Sequence, residues 1–333
     1  MYKKIIKLLL CIFVSVSILT ACSTNTKKDF NDISKKSDTK SKEYIEIVDA
    51  KGSQKIPKNA KSIVVLDSRA FKTLADWGIK PAVAPKPVIP KTNPIVSDKA
   101  VTDIGNHKEP NLELIAASNP EIIIVGQRFG KFYDELKKLN PTAVVLDLNI
   151  NIEGDKPGEN LIKGLKHNTE ILGKVYGKEN EAKKLIENFD NELNKVKSLK
   201  LDDKKFMGLI VTGGNISYSA PKNSRVWGPI FDLLKLNPSL EIKNSSSNHK
   251  GDDISVESIA QSNPDVMLVL DRDAALANSK SLPATDVIKG SKALKDTNAV
   301  KNNKVFFAPL DTYTNESIQT FTELFKSFSE FMK

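Results

Sequence analysis

The sequence predicts an α/β protein of two lobes, each a three-layer α/β unit, joined by a long α-helix. Three observations carry that prediction. A helix-turn-strand unit occurs twice: LELIAASNPEIIIVGQR at 112–128 returns as VESIAQSNPDVMLVLDR at 256–272, with eight of seventeen positions identical in register. Between the copies, residues 158–199 read as predominantly helical. The mature chain, roughly 290 residues once the N-terminal segments are discounted, exceeds what one hydrophobic core usually serves.

Residues 1–21, MYKKIIKLLLCIFVSVSILTA, run from a lysine-bearing start into an apolar stretch, the shape of a secretory signal. The stretch stops at LTAC, which resembles the lipobox of bacterial lipoproteins; that resemblance implies that Cys22 carries lipid and becomes the first mature residue. Cys11 would leave with the signal, so the mature chain has no thiol for a disulfide, a metal site or a nucleophile. Residues 22–45 are rich in Ser, Thr, Asn, Asp and Lys and read as a flexible tether. Discounting Lys3, Lys4 and Lys7 lowers the formal net charge from +9 to +6. That excess suits an anionic surface or ligand, but no arginine-rich tract or nucleic-acid motif accompanies it.

The remaining elements follow in order. Residues 46–157 form the expected first lobe: a small hairpin or edge strands, a buried strand at 62–67, and a helix in SRAFKTLADWG stopping at Gly78. Five prolines between 81 and 94 make the next connection irregular, a common place for a pocket. In the duplicated unit Asn111 and Ser255 stand where an N-cap belongs, and Asn-Pro ends each helix. EIIIVG and DVMLVL are continuously apolar, the habit of parallel strands covered on both faces. Arg128 and Arg272 therefore fall at the C-terminal ends of strands, the edge where open α/β sheets hold ligands. Residues 158–199 form the connector, as one helix or two nearly continuous pieces, with Gly177 a possible break. Residues 200–333 form the second lobe: a strand in KFMGLIVTGG, a helix in VWGPIFDLLKLN, the second repeat, a strand in KVFFAPL, and a terminal helix burying Ile318, Phe321, Phe325 and Phe328.

From Cys22 onward the chain resembles the substrate-binding lipoproteins of iron-siderophore ABC importers, especially the branch that binds catecholates such as petrobactin and enterobactin fragments. The residues that carry the likeness are LTAC, KSIVVLD, EPNLELIAASNPEIIIVGQR, the 158–199 helix and ISVESIAQSNPDVMLVLDRD. The resemblance implies a rigid bilobal receptor with no catalytic residues and no intrinsic cofactor, its ligand an Fe(III)-catecholate siderophore. It further implies three cleft arginines at Arg128, Arg225 and Arg272, whose directed donors match the spread negative charge of such a complex. Taken singly, each arginine reads first as a surface ion-pair residue, and Asp271 and Asp273 flank Arg272.

By the same resemblance His249 and Tyr313 complete the coordination of iron in a siderophore with too few donors, a set that suits ferric ion. Without it, a loop histidine reads as solvent-exposed and a tyrosine as packing. Trp227 either walls a planar ligand or is buried among its apolar neighbours. Trp77 reads as core, and His107 and His167 read as non-ligands because no carboxylate-histidine spacing makes a zinc cluster. Arg69 and the proline-rich loop lie near strand ends without a spacing rule to fix them at the cleft. Glu113 and Glu257 match the acids that dock family members onto permease subunits, although an acid in a first helical turn also improves local electrostatics alone. The expected protein is thus a monomer, anchored through lipid outside the cytoplasmic membrane. Haem, corrinoid or hydroxamate-siderophore binding is the alternative within the class; an enzyme or a structural lipoprotein or adhesin is the alternative outside it.

Overall fold

The computed structural model describes residues 43–243, 245–247, 250–276 and 281–333. The signal segment, Cys22 and His249 lie outside the described residues. The described chain opens with an antiparallel hairpin of β1 (Tyr44–Asp49) and β2 (Gly52–Pro57). The strand therefore starts just inside the stretch read as tether, because Ile45 and Ile47 alternate with polar residues and pack on the first core.

The first sheet is built from β3 (Ile63–Val65), β4 (Val83–Ala84), β5 (Thr102–Asp103), β6 (Ile122–Val125) and β7 (Val144–Asp147), in the order β5-β4-β3-β6-β7. All its pairings are parallel. The period of two divides its residues between two cores: Ile63, Val65, Ile122 and Ile124 enter one, Val64, Leu66, Ile123 and Val125 the other. A strand apolar at every position is what a sheet covered on both sides requires.

The second sheet repeats this plan with β8 (Lys205–Thr212), β9 (Asn215–Tyr218), β10 (Asn237–Pro238), β11 (Val266–Asp271) and β12 (Val305–Phe307). Its order is β10-β8-β11-β12, parallel throughout, with β9 added antiparallel to β8. Met207, Leu209, Met267 and Val269 face one core; Phe206, Ile210, Leu268 and Leu270 face the other. The terminal helix Ile318–Met332 buries Ile318, Phe321, Phe325 and Phe328 as its spacing predicts.

The repeat is also a structural repeat. Asn111 accepts from the backbone N–H of Leu114 and Ser255 from that of Ser258, so each short helix, Leu112–Ala117 or Val256–Gln261, is capped alike. Each buries one isoleucine completely, Ile115 or Ile259. Asn119 and Asn263, the residues before proline, both take left-handed backbone, which reverses the chain into the strand.

Residues 158–199 are two helices, Pro157–Tyr176 and Glu179–Lys197, and they fold back on each other rather than continuing. Gly177 is left-handed at φ 62°, and its N–H closes on the carbonyl of Gly173. Lys166 Nζ then reaches Asp190 across the hairpin at 2.6 Å. The first helix alone bridges the sheets: Leu161 and Leu165 belong to a core of the second lobe, Ile171, Leu172 and Val175 to a core of the first. His167 Nε2 lies 2.7 Å from the Val48 carbonyl, tying this helix to the hairpin. Among the described residues no helix is long and apolar enough to cross a membrane.

Candidate functional site

Parallel strands in both sheets end on polar residues, and those ends build the site. Asp67, Ser68 and Arg69 follow β3, Gln127 and Arg128 follow β6, Thr212 ends β8, and Arg272 follows β11. Tyr313 and Glu316 follow β12, Tyr313 on the short helix Asp311–Thr314. Arg225 stands just before the helix Trp227–Leu234.

A cavity of about 1090 Å³ opens beside these ends. His107, Gln127 and Arg128 line it from the first lobe, Arg225, Lys222 and Asn223 from the second, and Ile152 to Asp155 from the connection between them. Among the described residues Arg128 has no ion-pair partner, and its buried Nε has no hydrogen-bond partner. Burial pushes its pKa down, and Arg225 and Arg69 push the same way while Glu316 and Tyr313 oppose them. Arginine nonetheless keeps its charge, so the cavity wall carries a cation with no ion-pair partner among the described residues.

Arg225 is held from two sides. Its Nε pairs with Glu316, and one terminal nitrogen donates to the Tyr313 carbonyl at 2.9 Å. Although no hydrogen bond of good angle joins Arg225 Nε to Glu316 Oε1, their close approach makes the ion pair the governing contact. The other carboxylate oxygen of Glu316 takes a donor from Arg69 at 3.0 Å, and both of those side chains are buried. Arg69 comes from the first lobe and Glu316 from the second, 247 positions apart. Arg272 donates through Nε to the Tyr313 hydroxyl at 2.9 Å and through Nη1 to Thr212 at 3.0 Å. The Tyr313 ring meets two guanidinium groups, with its centroid 5.7 Å from that of Arg225 and 5.8 Å from that of Arg272.

Three residues depart from the sequence reading. Trp227 is only 1% exposed and sits in the core among Val226, Ile230 and Phe231, so it packs the lobe rather than walling a ligand. His107, read as a non-ligand, lines the cavity with a buried Nδ1 that has no hydrogen-bond partner among the described residues, and burial with the nearby Arg128 keeps its pKa low. Tyr313 is 4% exposed and lies behind the arginines rather than on the cavity wall. The proline-rich 81–94 segment does not line the cavity. Glu113 and Glu257 are exposed in the first turns of their helices, one on each lobe.

Asp67, Arg69 and Glu316 are the residues that sequence reasoning missed or left unplaced. Asp67 is buried against Gly126: a Cβ at that glycine would collide with the Asp67 carboxyl group. Burial raises the Asp67 pKa to about 7 against the opposing pull of Arg69. Among the described residues no cluster of three or more His, Cys, Asp or Glu side chains could hold a metal ion.

A family model described as periplasmic binding protein matches residues 63–312. The petrobactin-binding protein YclQ of Bacillus subtilis is 30% identical over 332 residues, 97% of each chain. Its crystal structure aligns with a TM-score of 0.72 and 27% identity over 88% of this chain and 99% of that one. The ferric-anguibactin-binding protein FatB of Vibrio anguillarum is 29% identical over 214 residues, 64% of this chain and 63% of its own.

Proposed function

The chain belongs to the periplasmic binding protein family, and from that premise we infer that it is an extracytoplasmic receptor that captures a ferric catecholate siderophore and delivers it to an ABC importer. The observation that carries this reading is Arg128, a cation without an ion-pair partner among the described residues, on the wall of a cavity large enough for a siderophore and beside Arg225. A ferric catecholate offers several deprotonated oxygens to such donors, and charge-assisted bonds to them are the stronger kind. Arg128 and Arg225 are assigned to the ligand directly, with Arg272 and Tyr313 behind them. Tyr313 is proposed as an iron donor with His249, which lies outside the described residues; the role requires ligand entry to uncover the Tyr313 ring.

The same reading assigns Glu113 and Glu257 to the two permease subunits. Their support is that each lobe presents one exposed acid on a matching helix. Cys22 is assigned as the lipid anchor of a monomeric receptor on the outer face of the cytoplasmic membrane. Residues 1–21 are its signal and 22–45 its tether; 46–157 and 200–333 are the lobes, and 158–199 the connecting segment.

Titration of the purified protein with ferric tetradentate and hexadentate catecholates, ferric hydroxamates, haem and cobalamin tests the cargo. Quenching of intrinsic fluorescence by a ferric catecholate is expected; binding of haem or cobalamin alone would reject the assignment. Tyr313→Phe should alter the ligand-to-metal absorption band, and an unchanged spectrum at saturation removes Tyr313 from the iron. Reversal of Glu113 and Glu257 to Lys should impair uptake at unchanged solution affinity, and equal uptake ends the docking role.

A further inference from the structure

Glu316 lies where the two lobes and the cavity meet. It is 1% exposed, so it touches no ligand, yet its two oxygens engage arginines with different duties. One is Arg225, which lines the cavity; the other is Arg69, which is buried and comes from the opposite lobe. We propose that Glu316 sets the charge of the ligand that the cleft selects, by cancelling one positive charge of the arginine cluster, with Arg69 as the counterweight that holds it there. This deepens the ferric-catecholate reading and rests on it.

The physical basis is the reach of a buried charge. Glu316 is felt at Arg128, where it opposes the depression caused by burial, Arg225 and Arg69, so its field extends across the cluster. Screening by salt is weak for groups this well covered. Removing the carboxylate adds one unit of positive potential at the cavity; removing Arg69 subtracts one. Ligands that differ in charge feel those changes unequally. A ferric tris-catecholate carries three net negative charges and a ferric bis-catecholate one, so the ratio of their affinities reports the cleft potential. Changes in packing or stability would move both affinities together.

The test is that ratio, measured by fluorescence titration for the wild type, Glu316→Gln, Glu316→Asp, Arg69→Met and the double variant Arg69→Met/Glu316→Gln. Glu316→Gln is expected to favour the tris-catecholate by about tenfold or more, and Arg69→Met to shift the ratio by a similar factor the other way. Glu316→Asp, which keeps the charge on a shorter side chain, should leave the ratio unchanged. The double variant avoids a lone buried charge and restores the net charge, so its ratio should return to within about threefold of wild type. If the double variant instead keeps the ratio of Glu316→Gln, Glu316 acts only by holding Arg225 in place and the proposal fails. An unchanged ratio in a folded Glu316→Gln protein also overturns it. Wild-type protein that binds neither complex overturns the ferric-catecholate reading itself, and this inference with it.

Discussion

At the place where Asp67 lies against Gly126 in the first lobe, the second lobe pairs Ile210 with Leu270. The equivalence follows from the repeat, which sets Gly126 against Leu270, and from the pairings Ile63–Ile122 and Phe206–Val266. The first lobe ends its central strands early and leaves a carboxyl group, a glycine and a loop before Arg128. The second runs them on through apolar pairs and places Arg272 on the first residue past the strand. A duplicated sequence has thus kept its caps, its buried isoleucine and its arginine, while the two arginines have acquired opposite situations. Arg128 has no ion-pair partner among the described residues and lines the cavity; Arg272 is bonded to Tyr313 and Thr212. What a side chain does at matched positions is decided by tertiary partners, which the repeat does not encode.

The largest effect should come from the apolar pair. Leu270→Ala leaves a cavity in the second core and should cost about 2–5 kcal/mol. Gly126→Ala overpacks the equivalent place and should cost about 1–3 kcal/mol. Urea denaturation measures both, and a neutral Gly126→Ala would remove Asp67 from contact with that strand end.

Asp67 gives the first lobe a pH dependence that Ile210 cannot give the second. Its folded pKa of about 7 lies well above the ordinary aspartate range. The stability it contributes is therefore fully present below pH ~4 and lost as the pH rises through ~7, on the order of 4 kcal/mol. Asp67→Asn should flatten that part of the stability profile; an unchanged slope assigns it to other groups.

The two arginines should fail differently. Arg128→Ala should lower ferric-catecholate affinity by roughly 10–100-fold and leave stability unchanged or raised, since it removes a charge that burial disfavours. Arg272→Ala should cost about 1–3 kcal/mol of stability by taking a donor from the Tyr313 hydroxyl. Identical behaviour of the two variants would dissolve the contrast. The smallest effects belong to what the lobes share: Asn111→Ala and Ser255→Ala should each cost about 1 kcal/mol, to a similar degree.

The repeat, the caps, both parallel sheets and the terminal helix were legible because each depends on residues near in sequence. Arg128 and Arg225 could be named as ligand candidates for a related reason: one sits at a strand end, and both stand in segments that resemble a known family. The fold-back at Gly177 was not legible, since two apolar stripes reveal which faces are buried but not the direction after a left-handed turn. Nor was Trp227, whose apolar neighbours suit a pocket wall as well as a core. The Arg69–Glu316 pair lay furthest out of reach, because nothing in SRAFK or TNESIQ signals a partner 247 positions away.

The helix Pro157–Tyr176 carries a consequence for folding. Its first half contributes Leu161 and Leu165 to one lobe and its second half Ile171, Leu172 and Val175 to the other. Melting either lobe alone would put half of one continuous helix's apolar stripe into water. The two sheets are therefore bound into a single cooperative transition, as two storeys that share one beam come down together.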